Sequence, residues 1–177
     1  MKLASYVSGK WVEGSDQGAA LMDPVSGAEL ARASTTGIDV GAAMTYAREK
    51  GGAALRALSF AERAGLLKAI ADALTAKRDS YFELALANSG NTKVDAAIDI
   101  DGGIGTIKYF ARLGDSLGAA KTLKDGRFER LAKDEAFQAM HLSVPLRGVA
   151  VHINAFNFPS WGLWEKAAVA ILSGVPV

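Results

Sequence analysis

The spacing of apolar residues changes character twice along the chain. Residues 5–34 carry short alternating runs broken by turn residues. Tyr6-Val7 and Trp11-Val12 flank Ser8-Gly9-Lys10, which predicts a hairpin, and Asp23-Pro24 with Ser26-Gly27 predicts a second turn before Glu29–Arg32. Residues 39–113 shift to a helical period. Ser59 with Glu62 three positions on has the form of a capping box. It is followed by Leu66, Leu67, Ile70 and Leu74 on one stripe, with Arg63, Lys68 and Asp72 expected on the solvent side. Tyr81, Phe82, Ala85 and Leu86 form a second apolar group that runs to a stop at Gly90. A third helix is expected from Thr92 to Leu113, weakened by Gly102, Gly103 and Gly105.

Residues 114–136 are rich in Gly, Asp and Lys and read as a connecting surface segment. Beyond them Phe137–Val144 alternates. Gly148–Ile153 is an almost unbroken apolar run of the kind that forms a buried parallel strand. Asn154–Phe158 then turns into Pro159, a residue favoured at the first helical position, and the helix runs to Leu172 with Gly174 as its stop. Strand, turn, helix and the start of a strand at Val175–Val177 are the first crossover of a parallel α/β sheet. A crossover helix without its second strand predicts the N-terminal part of a longer protein. The alternative is a short edge strand at a natural C-terminus.

Composition narrows the chemistry. The 177 residues hold 20 Lys and Arg against 19 Asp and Glu, a net charge of +1, which gives no electrostatic reason to expect nucleic acid or an anionic membrane as partner. Cysteine is absent, so this chain has no disulfide, no Cys-bound zinc and no thiol nucleophile of its own. Two histidines are too few for a His-based metal site without carboxylate help. No signal peptide is visible, and a cytoplasmic protein is the default expectation.

Ligands of parallel sheets bind beyond the carboxyl ends of the strands, which here means the run Ile153–Pro159. The next helix start offers backbone N–H groups suited to a phosphate or an oxyanion. Asn157 is a neutral amide donor at that turn. It either donates to an oxyanion or caps the helix, and on spacing alone the cap is the simpler reading. Gly102-Gly103-Ile104-Gly105 follows a helical pattern and lacks the third glycine of a nucleotide loop, so it points to close packing or a break. His152 reads as a hydrogen-bonded structural histidine. Asp95, Asp99 and Asp101 with Glu83 read as a solvated helix face, not as metal ligands.

The segment Pro145–Pro159, with Gly148-Val149, an apolar strand and Asn157-Phe158-Pro159, resembles the aldehyde dehydrogenase superfamily pattern P-x-G-V, strand, P-W-N-F-P. Ala155-Phe156 stands where the family has Pro-Trp. Ala170-Ile171-Leu172-Ser173-Gly174-Val175-Pro176-Val177 resembles the family's A-L-A-A-G-N-x-V. Ser8–Gly14, Asp23–Gly27 and Ser59–Arg63 resemble its G-x-W, N-P-x-T-G and L-S-x-x-E-R signatures, in the same order. Asn88-Ser89-Gly90, Asp99–Thr106 and Ile153–Gly162 further resemble the branch that acts on coenzyme A-linked semialdehydes in aerobic degradation of aromatic acids.

That resemblance implies an α/β fold. An N-terminal β element and helices (1–136, with the connecting segment) would lead into the first strand–helix unit of an incomplete Rossmann-type dinucleotide-binding domain (137–177). It implies oxidation of an aldehyde to an acid through a cysteine thiohemiacetal, with NADP, or alternatively NAD, as cofactor. The partner would be a small aldehyde, CoA-linked, and the assembly a homodimer or larger homo-oligomer. Asn157 matches the asparagine whose amide binds the oxyanion. Ile153, Asn154, Ala155 and Phe156 match the strand end that lies along the dinucleotide. The nucleophile and the general base would lie outside these residues. An acylating or hydratase-fused dehydrogenase, or a non-catalytic assembly fragment, are the alternatives.

Overall fold

The computed structural model describes residues 1–177. Two small antiparallel hairpins open the chain. In the first, β1 (Ala4–Val7) pairs with β2 (Lys10–Glu13), setting Tyr6 opposite Trp11 and Val7 opposite Lys10. Ser8 and Gly9 both have positive φ, 50° and 82°. Two left-handed residues give the turn whose twist matches that of the flanking strands. The Tyr6 and Trp11 rings meet edge to face at 5.1 Å. In the second hairpin, β3 (Ala19–Met22) pairs with β4 (Glu29–Ala33) around a turn held by Asp23, whose carboxylate accepts from Val25 N at 2.8 Å and Ser26 N at 3.1 Å.

A helical region follows. α1 (Val40–Tyr46) continues through a π-helical turn, Ala47–Gly51, into α2 (Gly52–Ala57). α3 (Phe60–Ala76) starts at the expected capping box: Ser59 Oγ accepts from Glu62 N, and Glu62 accepts from Ser59 N at 2.7 Å. α4 (Arg78–Ser89) ends at Gly90, left-handed with φ 67°, as the sequence predicts. α5 (Lys93–Leu117) runs unbroken through its glycines, capped by Thr92, and α6 (Pro159–Leu172) begins on its proline. The core lies where α5 packs against α3 and α6, built from Phe60, Leu67, Ala71, Ile107, Ala111, Ala168 and Leu172. No helix is long and apolar enough to cross a membrane.

The glycines of α5 serve packing and leave the helix intact. A Cβ on Gly114 would lie 2.6 Å from Leu172 Cδ1 and 2.8 Å from Ala64 Cβ, so α3, α5 and α6 can meet this closely only where no side chain intervenes. A Cβ on Gly103 would approach Ser160 Oγ at 3.1 Å and Trp164 Cδ1 at 3.2 Å.

Several expectations are corrected. The buried face of α3 is Phe60, Arg63, Ala64, Leu67 and Ala71, and Leu66 is 42% exposed. Arg63, expected on the surface, is 0% exposed. Its Nε donates to Leu55 O at 2.8 Å and its Nη1 to Leu172 O at 3.0 Å, charge-assisted bonds that offset part of the cost of burial, while Nη2 is buried without a partner. The connecting segment is no loop. α5 extends to Leu117, and β5 (Leu123–Arg130) pairs antiparallel with β6 (Gln138–Ser143) in an exposed hairpin. That hairpin spans positions 136 and 137.

Gly148–Ile153 forms no strand. Its backbone makes one hydrogen bond, Ala150 N to Pro176 O at 2.8 Å, and a parallel strand forms only against a neighbour that supplies a ladder. The architecture is α/β with three separate two-stranded sheets around a helical core.

Candidate functional site

The turn from Ile153 to Phe158 leads directly into α6. Its side chains face outward: Ile153 is 91% and Phe156 87% exposed, and Ala155 and Asn157 are exposed as well. Asn154 is half-buried, and its Oδ1 lies 3.5 Å from Lys166 Nζ. No backbone N–H or C=O of residues 151–157 is paired with another backbone group. From Val151 to Phe156 the run therefore presents free main-chain donors and acceptors next to two bare apolar side chains. A nucleotide sugar and ring need a wall of that chemistry, and Ile153, Asn154, Ala155 and Phe156 fit a dinucleotide in that sense.

Asn157 does not cap the helix. The residue at the cap position is Phe158, which makes no side-chain capping bond. The Asn157 amide is left free, while its main-chain oxygen accepts from Asn91 Nδ2 at 2.8 Å.

The capping is done by a residue of another helix. Asp99, in the second turn of α5, is 1% exposed, and its Oδ1 accepts from Trp161 N at 2.7 Å. Ser160 N–H also bonds to that carboxylate. These are the second and third residues of α6, the positions an N-cap side chain ordinarily serves. Burial pushes the Asp99 pKa above its ordinary value, and the two N–H bonds oppose that rise. Asp99 is thus no part of a solvated face. Two of the N–H groups that the sequence reading offers to a phosphate are already bound to a carboxylate.

The other carboxylates of α5 are ordinary in their surroundings. Asp101 pairs with Arg78 of α4 at 2.6 and 2.7 Å and is held below its usual pKa by that contact. Asp95 accepts from Thr92 Oγ1 at 2.7 Å. His152 differs from expectation, because its Nδ1 is buried without a partner. It borders a mostly apolar cavity of about 500 Å³ that Tyr6, Met44, Tyr46, Val151 and Pro176 also line, away from Asn157.

Sequence reasoning located the turn and Asn157 but missed Asp99 and Asn91 as its supports. The one local signal was negative. Phe158 before Pro159 cannot cap with its side chain, so the N–H groups of the next two residues had to find an acceptor elsewhere.

Comparison with known proteins places this arrangement. The sequence pattern described as "Aldehyde dehydrogenase family" matches residues 11–177. The chain is 58% identical over its whole length to the 3,4-dehydroadipyl-CoA semialdehyde dehydrogenase of Aromatoleum evansii, covering 34% of that protein. Among solved structures, 3,6-anhydro-L-galactose dehydrogenase in complex with NAP superposes with a TM-score of 0.83 at 20% identity, over 99% of this chain and 35% of that one. The NADP-dependent glyceraldehyde-3-phosphate dehydrogenase from Bacillus halodurans C-125, complexed with NADP, gives 0.81 at 20% identity, over 99% and 36%. The chain spans about a third of the length of these relatives.

Proposed function

Because the chain belongs to the aldehyde dehydrogenase family, we propose that it forms the N-terminal part of an NAD(P)-dependent enzyme that oxidises a CoA-linked semialdehyde, such as 3,4-dehydroadipyl-CoA semialdehyde, to the acid. The observation that carries the substrate class is the 58% identity to that semialdehyde dehydrogenase over the whole of this chain. In this reading a cysteine thiolate, contributed from outside these residues since the chain has none, adds to the aldehyde carbon. The carbonyl π electrons move onto oxygen, and the Asn157 amide N–H donates to that oxyanion. A neutral amide suits the task because it stabilises developing charge without titrating.

The exposed edge Ile153–Phe156 would line the cofactor, with NADP favoured and NAD the alternative. Bound there, the nicotinamide supplies a two-electron acceptor for the aldehyde hydrogen. With Ser160 and Trp161 N–H groups held by Asp99, cofactor phosphates are bound by other groups than this helix start. Hydrolysis of the resulting thioester needs an activated water, and its base also lies outside these residues. Residues 1–136 and 137–177 would divide between the N-terminal region and the start of the dinucleotide-binding domain. The enzyme would work in the cytoplasm as a homodimer or larger homo-oligomer.

The test uses the complete protein with a CoA-linked semialdehyde and with the same semialdehyde freed of CoA, each with NADP and NAD. Reduction of NADP that is fastest with the thioester supports the reading. Equal turnover of both aldehydes overturns the substrate class, and no reduction with either overturns the activity.

A further inference from the structure

The turn that carries Asn157 has no backbone pairing of its own, yet two residues from distant sequence hold its junction with α6. Asn91 Nδ2 donates to Asn157 O at 2.8 Å. Three and four residues further along, the Asp99 carboxylate accepts from Ser160 N and Trp161 N, the latter at 2.7 Å. Both supports belong to one short stretch, the loop after Gly90 and the second turn of α5, so they move as a unit. Gly103 lets α6 sit close enough for that reach, since a Cβ there would crowd Ser160 and Trp164. The contact with Asn91 is made through the main-chain oxygen of Asn157, which leaves the side-chain amide free to point elsewhere.

We infer that Asn91 and Asp99 are positioning residues that hold the C-terminal end of the turn 153–158 where it enters α6 and fix the aim of the Asn157 amide at the reacting oxygen. This rests on the role proposed for Asn157. A free six-residue turn samples many backbone states, whereas an oxyanion donor acts only from a narrow range of positions. Small misplacement of a positioned group costs up to about 10²-fold in rate. Asp99 supplies the fixed helix start. Asn91 sets the last peptide before it.

The test is a double-mutant cycle in the complete protein, combining Asn91→Asp, which keeps the shape but removes the donor, with Asn157→Ala. Two quantities are measured: the single-turnover rate of NADP reduction, and hydrogen exchange of the peptide 153–161. The expected result is that Asn91→Asp slows the single turnover at saturating NADP about 10-fold, speeds exchange in 153–161, and has no further effect on the rate once Asn157 is alanine. Asn91→Ser, which restores a donor, recovers part of the rate. An Asn91→Asp effect equal in both backgrounds, or none in the parent, overturns the inference while leaving the Asn157 role intact. If Asn157→Ala itself keeps full rate, the catalytic role of Asn157 falls. Exchange in 153–161 then decides the clamp alone: faster exchange in Asn91→Asp upholds it and unchanged exchange overturns it. Should Asp99→Ala fail to fold, Asp99→Asn, which keeps one acceptor oxygen, serves as the milder variant, with the same expected rise in exchange.

Discussion

The guanidinium of Arg63 and the carbonyl of Leu172 meet at 3.0 Å, joining the first turn of α3 to the last residue of α6 across 109 positions of sequence. The same side chain holds Leu55 O and lies with its Cζ 5.2 Å from the centre of the Phe60 ring. Arg63 thereby closes the end of α6 by occupying the otherwise unpaired Leu172 carbonyl, and adds a second donor to Leu55 O, which already accepts from Leu58 N at 3.2 Å. Arg63→Met is expected to destabilise the complete protein by about 1–3 kcal/mol, because the buried Leu172 carbonyl loses its donor. Urea unfolding checks it, and a loss below about 0.5 kcal/mol, the range of ordinary surface changes, would contradict this role.

The α5 glycines divide into two kinds. Gly114→Ala is expected to cost about 1–3 kcal/mol, since its methyl group would press on Leu172, Ala64 and the Phe60 carbonyl. Gly105→Ala has nothing within 4 Å to meet and is expected to stabilise by about 1 kcal/mol through helix propensity. Thermal melts of the pair should shift in opposite directions.

Asp99 gives a pH signature. Its native pKa lies above the ordinary 3.8, chiefly because it is buried. The native state therefore holds this proton more tightly than the unfolded chain does. The contribution of Asp99 to stability is greatest below the unfolded pKa and declines as pH rises through the native one. Asp99→Asn removes that decline. Asp16, Asp23, Glu62 and Asp101 are shifted the other way by hydrogen bonds and, for Asp101, Arg78, so the informative quantity is the difference between variant and parent. Melts at steps between about pH 3 and 6 should show the parent losing ground to Asp99→Asn as pH rises. The opposite trend would mean that the buried carboxylate is stabilised as the anion.

Asn157→Ala is expected to lower kcat of the complete enzyme about 10²–10³-fold, the usual loss for one oxyanion donor. The Kd for the cofactor and the melting temperature should hardly move, because the side chain caps nothing and is exposed. A large drop in melting temperature with kcat preserved would assign Asn157 to structure.

The 177-residue chain on its own should give no aldehyde-dependent reduction of NADP, for it holds no thiol. Turnover by the purified chain, free of other dehydrogenases, would overturn the cysteine mechanism.

What the sequence disclosed was local. The Ser59–Glu62 box, the Ser8-Gly9 turn and the stop at Gly90 each depend on residues within a few positions, and all three formed where their chemistry required. Arg63 and Asp99 were misplaced on solvent faces because helical periodicity registers polarity and cannot register a carbonyl or an N–H that arrives from 109 or 62 positions away. β5 escaped notice because both its faces are exposed, so Leu123–Arg130 has no reason to alternate. Gly148–Ile153 was misread in the other direction: an apolar run states what a strand would bury, but ladder partners decide whether it forms. Asn157 was found through its motif, and its supports at Asn91 and Asp99 carry no pattern of their own.

The order in which the core is completed also sets a timetable. α3 and α5 are both complete by Leu117, but α6 begins about 40 residues later. At about 5–20 residues per second a ribosome takes roughly 2–8 s to cover that distance. Throughout those seconds the Arg63 guanidinium has no Leu172 carbonyl, and the faces of Leu67 and Ile107 lack the cover of Ala168. The nascent chain is then a sticky half-core with a charge at its centre, a species that a holding chaperone would recognise and that disappears once α6 leaves the exit tunnel.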